Sequence, residues 1–179
     1  MAAVDKVFGM DRVNITITTT CKGPGKQESV GYFLIEHVKP DGTPETKDGH
    51  LYRESITGKT LTLQLLSNAL YILSKTEKRY NTIEVHLEDE YVESAFTNKW
   101  IDKWKESEWT NAKGKPLKDA EIWESLFERM SNLTDRFIVT TARSSYSSLM
   151  KSWSEDRLKS EQRLSKYHEN REKGKENDS

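Results

Sequence analysis

Residues 85–126, VHLEDEYVESAFTNKWIDKWKESEWTNAKGKPLKDAEIWESL, decide how this chain is read. The short run Ile83 to Leu87 (IEVHL) alternates like a strand and ends in three acids, Glu88, Asp89 and Glu90. The spacing after it predicts a helix over Tyr91 to Lys105. A Gly/Pro/Lys loop follows over Asn111 to Lys118, then a second helix over Asp119 to Met130. Four tryptophans, Trp100, Trp104, Trp109 and Trp123, punctuate this stretch.

Working towards the N-terminus, Leu61, Leu63, Leu65, Leu66, Ala69, Leu70 and Leu73 form a broad apolar stripe on a helix ending near Lys75. Before it, Val13 to Thr20 (VNITITTT) has the period-2 pattern of a strand, broken by Lys22-Gly23-Pro24-Gly25. Val30 to Val38 (VGYFLIEHV) reads as a second strand, Pro40-Asp41-Gly42 as a turn, and Leu51 to Ser55 closes a three-strand meander. Towards the C-terminus, Arg136 to Thr141 (RFIVTT) is a fifth strand, and the chain is helical again from Tyr146. Beyond Leu164 no apolar stripe continues, so Lys166 to Ser179 is expected as a frayed helix or disorder. The order β-β-β-α-β-α-α-β-α implies one mixed sheet with helices packed on it.

The 179 residues suit one compact domain with a tail. With 28 Lys+Arg against 29 Asp+Glu, the net charge of -1 excludes a uniformly basic nucleic-acid binder but leaves room for a locally basic face. No apolar run approaches the roughly 18 residues a membrane span needs, and residues 1–10 lack the pattern of a secretory signal. The single cysteine, Cys21, excludes an internal disulfide, and Cys/His finger spacing is absent. A cytoplasmic protein without a membrane partner is expected. His37, His50, His86 and His168 form no spacing of interest.

The central stretch resembles the type 1 ribonuclease H family. Members have a strand ending in an acid, then Tyr-Val, then a helix with Trp-Ile-x-x-Trp-Lys. Gly-Trp-x-Thr-Ala-x-x-x-Pro-Val-Lys-Asn-x-Asp-Leu-Trp comes next. Here Trp100, Trp104, Trp109, Lys115, Pro116, Lys118 and Trp123 stand at matching spacings without a gap. Cys21 and Gly23 sit as in the family's first turn, and the match fades beyond Phe137. The resemblance implies an α/β, ribonuclease H-like fold. Its five-stranded mixed sheet has three antiparallel strands, then parallel strands, with helices on both faces. The expected division is an N-terminal arm at 1–11, the ribonuclease H-like domain at 12–156, and a charged helical or disordered tail at 157–179.

The family cuts the RNA strand of RNA/DNA hybrids with two divalent metals held by four converging carboxylates, a charge that two cations about 4 Å apart require. On the resemblance, Thr18 stands at the first of these positions, Thr62 at the second and Glu88 at the third. The fourth falls near residues 148–152, represented by Ser148, where no carboxylate occurs. The family's loop histidine is replaced by Ala142-Arg143-Ser144-Ser145. Glu88 is thus the one acidic position retained. The expectation is a protein without a metal or other cofactor, Mg²⁺ or Mn²⁺ entering only where nuclease activity persists through an inward Glu155 or Asp156.

The family also grips the hybrid through a basic handle. Residues 99–118 hold six lysines (Lys99, Lys103, Lys105, Lys113, Lys115 and Lys118) against three acids, a local net of +3. With Trp100 or Trp104 between them, they are candidate nucleic-acid contacts. A solvated lysine face is the plain alternative, and Trp104, Trp109 and Trp123 suit packing better than contact. Thr57, Gly58 and Lys59 fall at the family's phosphate pocket, where helix capping by Thr57 and Thr60 is the alternative. Arg53 stands where a Walker loop needs its first glycine, which excludes a nucleotide site. The tail from Arg157 to Lys175 has seven basic residues against three acids and reads first as a solvated helix.

Neutral residues at the carboxylate positions remove a repulsion that a phosphate backbone would otherwise meet without metal. The reading is therefore an inactive ribonuclease H-like module for RNA/DNA hybrid or duplex, a pseudoenzyme of bacterial or mobile-element setting. A protein-interaction module and a divergent nuclease are its alternatives.

Overall fold

The computed structural model describes residues 10–177. The order is β1 (Arg12–Thr19), β2 (Gln27–Val38), β3 (Pro44–Ile56), α1 (Gly58–Ser74), β4 (Thr82–His86), α2 (Glu90–Thr97), α3 (Trp100–Glu106), α4 (Ala120–Leu133), β5 (Phe137–Thr140) and α5 (Ser147–Asn177). Among the described residues the strands form one sheet, ordered β3-β2-β1-β4-β5. The hairpins β1–β2 and β2–β3 are antiparallel, while β1–β4 and β4–β5 are parallel. This is the expected mixed sheet with helices on both faces.

Alternation along the strands sorts the side chains into two layers. Val13, Ile15 and Ile17 of β1, Phe33 and Ile35 of β2, and Ile83 and Val85 of β4 face the helices α1 to α4. There Leu61, Leu63, Leu65, Leu66, Ala69 and Leu70 are fully buried, each leucine contributing about 1.5–3 kcal/mol by leaving water. The opposite face carries a smaller cluster, Val30, Tyr32 and Leu34 with Met150 of α5, flanked by Tyr52, Tyr146, Trp153 and Leu158. Among the described residues, one sheet thus has four helices on one face and one long helix on the other.

Three differences from the sequence expectation have physical causes. Strand β3 reaches back to Pro44, because the exposed first half of an edge strand can be polar and still pair along β2. The helix expected over Tyr91 to Lys105 is two helices, broken where Lys99 takes φ 57°. Finally, α5 runs unbroken to Asn177 through the region expected as frayed or disordered, a lysine- and glutamate-rich sequence of high helix propensity. Residues 1–9 of the expected N-terminal arm lie outside the described residues.

Candidate functional site

Glu88 lies two residues past the end of β4. With Ile17, Thr19, Thr62 and Asp89 it lines a cleft of about 190 Å³ that Cys21, Gly23 and Gly58 also border. The neighbouring Asp89 is committed elsewhere. It is the N-cap of α2, and its Oδ1 accepts a hydrogen bond from the Val92 amide at 2.9 Å. Thr62 is buried and donates its hydroxyl to the Gly58 carbonyl at 2.8 Å, one turn back on α1.

Thr18 does not join them. The alternation of β1 sends Ile17 and Thr19 towards α1 and turns Thr18 to the other face, where its hydroxyl shares a 3.1 Å hydrogen bond with Ser154 of α5. Ser148 is also elsewhere: it is exposed and accepts a hydrogen bond from Arg143 at 3.0 Å. The buried residues Ser147, Met150 and Ser154 set the register of α5 and rotate Ser148 outward. They bring Lys151 to the site instead. Its Nζ donates to the Thr19 carbonyl at 2.9 Å and to Glu88 Oε2 at 3.2 Å. The two side chains are 34% and 57% exposed, so the pair contributes at most about 1 kcal/mol. Its importance is the sign of the charge it places at the cleft mouth.

A pair of divalent cations needs several converging anionic oxygens. Among the described residues no three His, Cys, Asp or Glu side chains gather in that way. Glu88 has an ammonium against it, Asp89 caps a helix, and the threonine hydroxyls are neutral and hydrogen-bonded. This donor set does not fit two metals.

The handle is built on aromatic packing. Trp123 and Trp109 are buried, and Trp104 lies edge-on to Trp123 at 5.1 Å. Trp104 also stacks on the exposed Tyr91 at 6.5 Å, and Trp100 packs on the same ring at 5.6 Å. Lys59 of α1 completes the group, its ammonium 4.4 Å from the Tyr91 centroid. Tyr91, Trp100, Trp104 and Lys59 thus form one surface beside the cleft. Lys103 stands one turn from Trp100 and is exposed, as are Lys113, Lys115 and Lys118 on the loop. Lys105 turns the other way and covers the Phe127 ring at 4.6 Å, and Lys99 borders a groove with Phe96 and Phe137. The six lysines therefore do not share one face.

At the start of α1, Thr57 accepts from the Thr60 amide at 3.3 Å as an N-cap. The Thr60 hydroxyl donates to Asp119 at 2.8 Å, which sets a carboxylate beside any anion held there. Gly58 is fixed by contact, since a Cβ on it would stand 3.1 Å from the Cys21 Cβ.

The chain is 30% identical over 129 residues to Ribonuclease H of Clostridium botulinum, covering 72% of this chain and 82% of that relative. It belongs to the ribonuclease H family. No protein-family model matches it. The ribonuclease H fold is shared with LC9-RNase H1, a type 1 enzyme with the type 2 active-site motif, at TM-score 0.62 and 13% identity, covering 82% and 70% of the two chains. It is shared also with LC11-RNase H1, solved with an RNA/DNA hybrid, at TM-score 0.54 and 9% identity, covering 80% and 94%.

Against this ribonuclease H frame, sequence reasoning missed Lys151, Arg143 and Tyr91. Tyr91 carried a usable signal, three residues after Glu88 where the helix starts. Lys151 carried none, because the last helix has no motif to mark its inward face.

Proposed function

We propose that this chain is a ribonuclease H-like module that binds RNA/DNA hybrid or duplex nucleic acid and does not cleave it. The observation that carries the proposal is the pairing of Glu88, the retained acid, with the Lys151 ammonium. Two-metal hydrolysis needs that carboxylate free and others beside it. Binding needs neither. Phosphate contacts from Lys103, Lys113, Lys115 and Lys118, with stacking on Tyr91 and Trp100, supply salt-dependent affinity. The hybrid complex of LC11-RNase H1 supports this choice of ligand. In this reading residues 12–156 form the binding module, and the charged tail continues α5 beyond it to Asn177.

The test is a titration of fluorescent RNA/DNA hybrid, double-stranded RNA and double-stranded DNA in EDTA, followed by Mn²⁺ and a gel of the products. Metal-free binding with intact strands is the expected result. Strand cuts that disappear in Glu88→Gln would overturn inactivity, and no binding at low salt would overturn the module as a nucleic-acid binder.

A protein-binding role has one observation of its own. Leu164 and Tyr167, three residues apart on α5, are 53% and 57% exposed.

A further inference from the structure

We propose that Lys151 is a phosphodiester-binding residue, a resident cation that meets the backbone of a docked duplex where relatives with a full carboxylate set would hold metal. The inference rests on the nucleic-acid reading above and names the group that does the work inside the cleft rather than on the handle.

Three observations converge on it. The first is position. The ammonium is fixed at the cleft mouth by the Thr19 carbonyl at 2.9 Å and Glu88 at 3.2 Å. An ammonium has three N–H donors, so two bonds leave one uncommitted. The second is the charge around it. Thr18 and Thr62 are neutral with their hydroxyls engaged, and Asp89 is held as a helix cap. Glu88, the one the ammonium touches, and Asp89 are then the two carboxylates of the cleft lining. Arg143, exposed and bonded to the neutral Ser148, borders the adjoining depression with Glu88 and Ser147. Lys151 and Arg143 balance these two carboxylates, so a phosphate meets far less repulsion there than four carboxylates would give. The third is the weakness of the existing tie. A pair this exposed is held by at most about 1 kcal/mol, so the ammonium exchanges Glu88 for a phosphate oxygen at little cost and keeps its anchor on the backbone.

The experiment uses the full chain and a fluorescent RNA/DNA hybrid in EDTA over a salt series. Lys151→Gln is expected to weaken binding about three- to tenfold at low salt and to lower the salt slope by about one. Lys151→Arg should retain both. Glu88→Gln should bind more tightly than the wild type, since it releases the ammonium and removes the facing carboxylate. If Lys151→Gln keeps wild-type affinity and slope while Lys103→Gln weakens binding, Lys151 is an internal tie and this proposal fails alone. If the wild type binds no duplex, the proposal and the binding reading fail together. Should Lys151→Gln not fold, Glu88→Gln decides, and an affinity no higher than wild type overturns the proposal.

Discussion

Gly31 lies on β2 opposite Thr19, and α1 passes directly over it. A Cβ there would collide with Leu65 Cδ1 and stand 3.1 Å from the Thr18 carbonyl, and Leu65 is fully buried. Gly31→Ala is therefore expected to destabilise the fold by about 1–3 kcal/mol, the usual cost of overpacking. A urea melt would show it, and an unchanged midpoint would mean that Leu65 repacks freely. The same close approach brings Thr62 and Thr19 to one cleft, so this glycine's cost is linked to the site's geometry. At this scale the sequence was legible where a motif fixed the register. Glu88, three residues before Tyr91, and Thr62, after its Thr-Gly-Lys-Thr-Leu lead-in, both line the cleft. Thr18 was placed in the right strand, but its side chain serves the opposite face.

Between elements, Asp11 acts as a clamp at the start of β1. Its backbone amide donates to Asn81 Oδ1 at 2.8 Å, and its carboxylate accepts from His37 of β2 at 2.7 Å and from Lys78, just before β4, at 2.8 Å. Burial pushes the Asp11 carboxyl up, but the bonds from Lys78 and His37 outweigh it and hold the group below its ordinary value of 3.8. A carboxyl depressed in the folded state contributes stability above that value and loses it as pH falls through the folded one. Asp11→Asn should cost about 1–2 kcal/mol at pH 7, the worth of a hydrogen bond to a charged group. That difference should shrink towards zero below pH 4, as urea melts at the two pH values would show; a constant difference would mean that the charge is irrelevant. Most elements were legible because their apolar spacing is imposed by a buried face. The polar half of β3 has no buried face to leave such a trace. The break at Lys99 left none either, since a residue in the left-handed region interrupts a helix without altering its apolar pattern. The last helix could be predicted but not rotated, which is why Ser148 was expected where Lys151 stands.

For the whole molecule, a ligand that binds the folded state raises the melting temperature, by a stabilisation that grows as RT ln(1 + L/Kd), with L the free ligand concentration. A protein whose carboxylates do not gather should be indifferent to divalent metal. Melting in EDTA and in millimolar Mg²⁺ is expected to agree within about 1 °C. A rise of several degrees would reveal a metal site and weaken the case for an inactive module. The helix α5 adds a mechanical property to this molecule. Its first half is packed on the sheet, where Met150 and Ser154 are buried, and Gln162 reaches Glu28 of β2. Past that point fifteen further residues of the same helix, 163–177, are exposed. An isolated helix of that length is marginal in water because its first turn is costly to nucleate. Here the packed half has already nucleated it, so the exposed half propagates as a helix about 20 Å long at 1.5 Å per residue. A fluorophore attached near its tip would be held at a set separation along that axis, and energy transfer from tryptophan would measure the separation as a ruler does.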